Sequence, residues 1–140
     1  IMKDPASGPI AVVILGLLLL LKWSIINTIL QQQVLFILFL APMLGRLAIL
    51  LLMQSTPYIR SGGMAEILVA NLPKSAANIL SIISLLVGVY YLGLLAISFM
   101  LVMLFIIRHQ AIKRLGGVTG DVYGAAVELV EASILLGAII

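Results

Sequence analysis

The chain has 140 residues, 64% of them hydrophobic and 9% charged, with a formal net charge of +3 and a mean hydropathy of +1.31. A typical soluble domain is roughly 25% charged, so a soluble globular fold is excluded and the chain reads as one integral membrane domain. With no cysteine, disulfides and thiolate metal sites are excluded; with no basic stripe interleaved with aromatics, nucleic acid is not a partner.

The chain begins Ile1-Met2-Lys3-Asp4-Pro5, without an initiator methionine and without a signal-peptide pattern. The first apolar run predicts a helix over 9–30, with Pro9 in its first turn, where a missing N–H costs nothing. Lys22-Trp23 interrupts this run and reads as an interfacial anchor, the ammonium snorkelling to the headgroups. Gln31-Gln32-Gln33 predicts a turn. A second helix follows over 34–53. In it Pro42 should kink the helix or free a carbonyl, and Arg46 lies near mid-span, a costly place in lipid that calls for a polar partner or a functional role.

Residues 54–78 read as a loop, with a short interfacial helix over 64–70. Its Arg60-Ser61-Gly62-Gly63 run offers backbone N–H groups to an anion. Residues 79–107 are too long for one upright span of a core about 30 Å thick. A hairpin turning near Gly88–Gly93, with arms over 79–92 and 93–107, puts Arg60, Lys74, Arg108, Lys113 and Arg114 on one side, as the positive-inside rule prefers. The 108–114 segment is then a cytoplasmic basic stretch, and His109 an interfacial residue rather than a metal ligand. A last helix is predicted over 122–140. The expected architecture is an all-α, polytopic membrane helical bundle of about 4–5 transmembrane or re-entrant helices.

One window departs from this apolar background. Lys113 to Glu131 holds two cations and three of the five acidic residues of the chain, with Gly116, Gly117, Gly120 and Gly124 among them. The glycines suit a turn into a helix N-terminus, with Thr119 or Asp121 as N-cap, and a helix N-terminus favours phosphate. Spacings of three, four and three place Asp121, Gly124, Glu128 and Glu131 on one helical stripe. Three carboxylates on one face suit Mg²⁺, which prefers oxygen ligands and bridges to phosphate; Arg60, Arg108, Lys113 and Arg114 would answer diphosphate oxygens. The competing reading has Asp121 capping its helix while Glu128 and Glu131 pair with Arg46 or Lys22 inside the bundle.

Gly116-Gly117-Val118-Thr119-Gly120-Asp121 with Gly124, Glu128 and Glu131 is similar to the C-terminal signature of the cobalamin synthase family, the adenosylcobinamide-GDP ribazoletransferases. Met2-Lys3-Asp4, Gly45-Arg46 and Pro57-Tyr58-Ile59-Arg60-Ser61-Gly62-Gly63 match that family in type and order. The resemblance covers essentially the whole chain. The family's upstream His-x-Asp-Gly-x-x-Asp-x-x-Asp-Gly element is absent, so an N-terminally truncated member is expected.

The resemblance implies transfer of the adenosylcobinamide phosphate group from adenosylcobinamide-GDP to α-ribazole or its 5′-phosphate. GMP is released, with Mg²⁺ as cofactor, at the cytoplasmic face of a prokaryotic inner or plasma membrane. It implies Asp121 and Glu128, with Arg46, as catalytic groups and Asp121, Glu128 and Glu131 as metal ligands. It also implies Arg60, Lys113, Arg114, Gly116, Gly117, Thr119 and Gly120 as the phosphate-binding set. Two other classes compete: another Mg²⁺-dependent membrane phosphotransferase, whose CDP-alcohol Asp-Gly-x-x-Ala-Arg element is missing here, and a transporter or channel subunit using Arg46 and Glu128. The sequence leaves the oligomeric state open, a homo-oligomer included.

Overall fold

The computed structural model describes residues 8–62 and 64–140; Met2-Lys3-Asp4 and Gly63 lie outside the described residues. The described residues form an all-α bundle of five helices in chain order: α1 Pro9–Gln32, α2 Ile37–Ser55, α3 Met64–Ala70, α4 Lys74–Leu115 and α5 Gly120–Ile139. All but α3 are long and apolar enough to cross a membrane, and the chain is a multi-pass membrane protein.

Pro9 sits in the first turn of α1, and Gln33 ends the helix in a left-handed conformation (φ 58°), its N–H reaching Ile29 and Leu30 carbonyls. Most large apolar side chains of α1 are exposed, as hydrocarbon solvent permits. Helix α2 runs through Pro42 and closes with the Thr56 N–H on the Leu52 carbonyl, 2.9 Å.

Helix α4 is folded in two. At Gly93 the backbone takes φ 82° and ψ 165°, a conformation essentially restricted to glycine. The side chain of Gln54 donates to Ser81 at 3.2 Å, while Arg108 donates twice to the Ser55 carbonyl, at 3.1 and 3.3 Å. A straight helix would hold residues 81 and 108 about 40 Å apart, yet here both meet the last turn of α2. The two arms, 74–92 and 94–115, therefore run antiparallel, each about 30 Å long, the thickness of a hydrocarbon core. The hairpin tip carries Tyr90 and Tyr91, packed edge to face, and Tyr91 meets Phe36 beside the α1–α2 turn.

The bundle thus has two unlike ends. One holds the α1–α2 turn, the hairpin tip and the end of α5, and among the described residues it has aromatic and amide side chains without charge. The other gathers the 56–73 segment, both ends of α4 and the start of α5, with Arg60, Lys74, Arg108, Lys113, Arg114, Glu66 and Asp121. Small residues let the helices close up between these ends. A Cβ on Gly137 would stand 2.7 Å from the Ala96 Cα, and one on Gly45 would stand 3.3 Å from the Val127 carbonyl oxygen. The main core joins Ile29, Leu44, Met100, Val130 and Ile134; a second cluster beneath the loops joins Leu52, Ala111, Val118, Tyr123 and Ala126.

The hairpin makes a labelling prediction. Cysteines introduced as Ser61→Cys and Lys113→Cys should react with a membrane-impermeant maleimide from one side, and Gln32→Cys from the other. Labelling of Ser61→Cys and Lys113→Cys from opposite sides would require a straight α4.

Candidate functional site

The charged end is organised by two short segments that hydrogen-bond to each other. Gly116 ends α4 with φ 82°, its N–H on the Ile112 carbonyl, and the chain turns into 117–119. There the Val118 N–H donates to the Pro57 carbonyl at 2.9 Å and the Ile59 N–H donates to the Val118 carbonyl at 3.1 Å. Buried Val118 and the stacked Tyr58–Tyr123 pair (6.1 Å) anchor this junction on the second core cluster. Gly117 is needed for the fit, because a Cβ there would stand 2.5 Å from both the Pro57 carbonyl oxygen and the Ile59 side chain.

The junction brings Arg60 to Asp121, 3.6 Å apart and both largely exposed. Asp121 lies in the first turn of α5, where a carboxylate complements the positive helix end. Thr119 occupies the N-cap position with no side-chain cap bond, so neither its hydroxyl nor the exposed Asp121 carboxylate closes the helix end. Lys113 is exposed on the last turn of α4; Arg114 beside it holds Gln110 at 3.2 Å. Gly120 and Gly124 have open space where a Cβ would be.

Several expected participants are placed elsewhere. Arg108 is turned to the Ser55 carbonyl, binding the second arm of α4 to the negative end of α2. The Gly62 N–H, expected to face an anion, is taken by the Glu66 carboxylate at 2.6 Å. Arg46 donates to the Pro42 carbonyl of its own helix at 3.1 Å and, among the described residues, makes no ion pair.

Lys22 corrects the interfacial-anchor expectation. It is buried, its ammonium 2.7 Å from Glu128 and 3.2 Å from Glu131. Trp23, the next residue, is exposed. Two carboxylates around one lysine outweigh snorkelling, since an unpaired acid at this depth is costly.

The acidic stripe does not converge on one point. Seven residues of helix separate Asp121 from Glu128 by about 10 Å of rise, and both glutamates are held by Lys22. Among the described residues no group of three or more histidines and carboxylates is arranged to hold a metal ion. Helical spacing had aligned the side chains in angle; depth along the axis keeps them apart.

The same end also contains a cavity of about 560 Å³ between the end of α2, the start of the 56–60 segment, α3 and the beginning of α4. Its polar lining includes Gln54, Thr56, Lys74 and Asn78. Sequence reasoning took 54–78 as loop and Lys74 only as a topological charge. The available signal was weak: a lysine after Leu72-Pro73 with Asn78 four residues on, at helical spacing.

A family model described as cobalamin-5-phosphate synthase matches residues 1–139. Among curated relatives, an adenosylcobinamide-GDP ribazoletransferase of Stutzerimonas stutzeri (strain A1501) is 48% identical over 141 residues, covering 98% of this chain and 57% of the relative. One of Pseudomonas fluorescens (strain Pf-5) is 46% identical, with 98% and 58% covered. One of Acinetobacter baumannii (strain ACICU) is 40% identical, with 96% and 56% covered. The chain thus spans somewhat over half the length of the curated relatives it matches. No solved structure matches it.

Proposed function

The chain belongs to the cobalamin-5-phosphate synthase family, and from that premise we propose that it carries part of the active centre of an adenosylcobinamide-GDP ribazoletransferase. In the proposed reaction a hydroxyl of α-ribazole, or of its 5′-phosphate, attacks the phosphorus atom attached to adenosylcobinamide. A new P–O bond forms, the P–O bond to the GMP portion breaks, and GMP leaves. The hydroxyl proton passes to a carboxylate or to water.

The observation that carries this reading is the Arg60–Asp121 pair on two hydrogen-bonded segments. Phosphoryl transfer demands in-line positioning and neutralisation of spreading negative charge. Arg60 offers a guanidinium suited to two phosphate oxygens at once. Lys113 and Arg114 add charge from the end of α4, and Gly120 and Gly124 leave the first turns of α5 open to a large group. Asp121, 3.6 Å from Arg60, would orient the attacking hydroxyl or accept its proton.

Mg²⁺ belongs to the same proposal. The full Asp121–Glu128–Glu131 stripe does not fit one ion, for the reasons of depth and pairing given above. Asp121 alone fits, as the kind of single carboxylate that holds Mg²⁺ jointly with substrate phosphates. Bound there, the ion would supply further neutralisation of diphosphate charge.

We assign the charged end to the cytoplasm, since it gathers five of the eight lysines and arginines of the chain. A corrinoid substrate would then rest at the bilayer surface while GMP leaves to the aqueous side.

The test uses a chimera supplying the part of the Stutzerimonas stutzeri relative that this chain does not cover, in lipid, with adenosylcobinamide-GDP, α-ribazole and Mg²⁺. GMP release above a membrane blank is expected. Asp121→Asn should lower turnover about 10²–10³-fold with unchanged membrane insertion. No release from the parent chimera would end this reading, and parental turnover in Asp121→Asn would remove Asp121 from the site.

A further inference from the structure

The cavity beneath α3 lies within the range of small-molecule sites, about 300–1,000 Å³. Among the described residues its lining carries one cation, Lys74, and no carboxylate, alongside apolar Met53 and Leu72. It therefore suits an anionic ligand with a flat apolar body.

The amide of Gln54 adds a directional requirement. Its Nε2 donates to the Leu50 carbonyl at 3.1 Å and to Ser81 Oγ at 3.2 Å. Ser81 in turn donates to the Ala77 carbonyl at 2.8 Å, so its oxygen receives from Gln54. A carbonyl can only accept, so the amide cannot rotate by half a turn without losing the Leu50 bond. Both Nε2 hydrogens are spent, and Oε1 remains as a fixed acceptor. Asn78 lies one turn before Ser81 on the same face of α4 and also lines the cavity, offering a rotatable donor to the same space.

We propose that this cavity binds a guanine nucleotide, its base between Met53 and Leu72 with the lactam edge on Gln54 and Asn78, and its phosphate toward Lys74. Guanine presents N1–H and an amino group to an acceptor such as Gln54 Oε1, and a carbonyl to a donor such as Asn78. Adenine presents a ring acceptor where Gln54 also accepts, and benzimidazole presents no donor edge. The identity of the nucleotide rests on the reaction proposed above; the place rests on the cavity. Pro57 belongs to the lining, and Arg60 follows three residues later, at most about 11 Å along an extended chain. The cavity would then hold the departing GMP portion while Arg60 and Asp121 face the reacting phosphate.

The experiment is direct binding to this chain in lipid nanodiscs, by equilibrium dialysis, with GMP, AMP and benzimidazole riboside 5′-phosphate as probes. GMP should bind about tenfold or more tightly than either other probe, the worth of one hydrogen bond with an unpaired penalty. Lys74→Ala and Asn78→Leu should each weaken GMP about tenfold; both side chains are exposed, so folding is retained. Asn27→Ala, on α1, should bind as the parent does. Equal affinity for GMP and AMP, preference for the benzimidazole riboside, or GMP binding indifferent to both cavity variants would overturn the proposal. The two readings fail separately. GMP binding with this pattern, without transfer in the chimera, keeps the site and loses the reaction. Transfer at the parental KM in both cavity variants keeps the reaction and loses the site.

Discussion

Replacing Lys22 by methionine is expected to destabilise the bundle by about 3 kcal/mol or more, read as a lower midpoint of unfolding in mixed micelles. Lys22 is the sole cation within salt-bridge distance of Glu128 and Glu131 among the described residues, and its side chain is only 11% exposed. The variant keeps the length and apolar stem of the residue while removing its charge. Two carboxylates would then face each other at a depth where an unpaired acid costs about 2.5–3.5 kcal/mol. The bond also joins the least embedded helix to the rest: α1 packs mainly on α5 and leaves most of its surface to lipid. Glu128→Gln alone should cost less, because Glu131 still faces the ammonium and the Glu128 side chain is already 49% exposed. Adding Glu128→Gln and Glu131→Gln to Lys22→Met should recover part of the loss, since the unpaired charges go with the lysine. A Lys22→Met midpoint equal to the parent's would show that the triad contributes nothing to cohesion.

The same triad shows what the sequence made legible and what it did not. Apolar runs located the long helices, because a bilayer demands apolar segments of about 20 residues whatever their partners. Charge asymmetry favoured a hairpin over 79–107, and the bonds of Ser81 and Arg108 to adjacent residues of α2 give its physical form. Periodicity on α5 aligned Asp121, Glu128 and Glu131, but alignment on a face fixes an angle and not a depth. The choice between a metal stripe and an ion pair turned on Lys22, which is 106 residues from Glu128 in the chain and whose neighbour Trp23 suggested a headgroup anchor. The cavity was hidden for a related reason: its lining comes from α2, α3 and α4, and no local pattern records that Val69 of α3 and Thr56 share one cavity. Glycine spacing marked the 116–120 segment as special, yet it could not say which glycine was required for what.

The structure separates those glycines, and Gly117→Ala should have the largest effect of the four at 116, 117, 120 and 124. Gly117 has no left-handed backbone, so its need is purely steric. The added methyl would stand 2.5 Å from the Pro57 carbonyl oxygen and 2.5 Å from Ile59 Cγ2. The Ile59 side chain can yield, but the Pro57 carbonyl cannot move freely, because it accepts the Val118 N–H. Relief requires the 57–60 and 117–119 segments to part, which strains both hydrogen bonds of the junction and draws Arg60 away from Asp121. Overpacking of this kind costs about 1–3 kcal/mol, and a misplacement of about 1 Å between reacting groups can lower turnover about 10²-fold. Gly116→Ala meets no neighbour but must hold φ 82°, at about 1–2 kcal/mol, and should lower stability more than it lowers turnover per surviving molecule. Gly120→Ala and Gly124→Ala meet neither obstacle and should be near parental in stability. In the chimera the order of turnover loss should therefore place Gly117→Ala first by at least tenfold over Gly116→Ala. If Gly117→Ala matches Gly120→Ala in both turnover and unfolding midpoint, the tight junction between these two segments is not what holds Arg60 against Asp121.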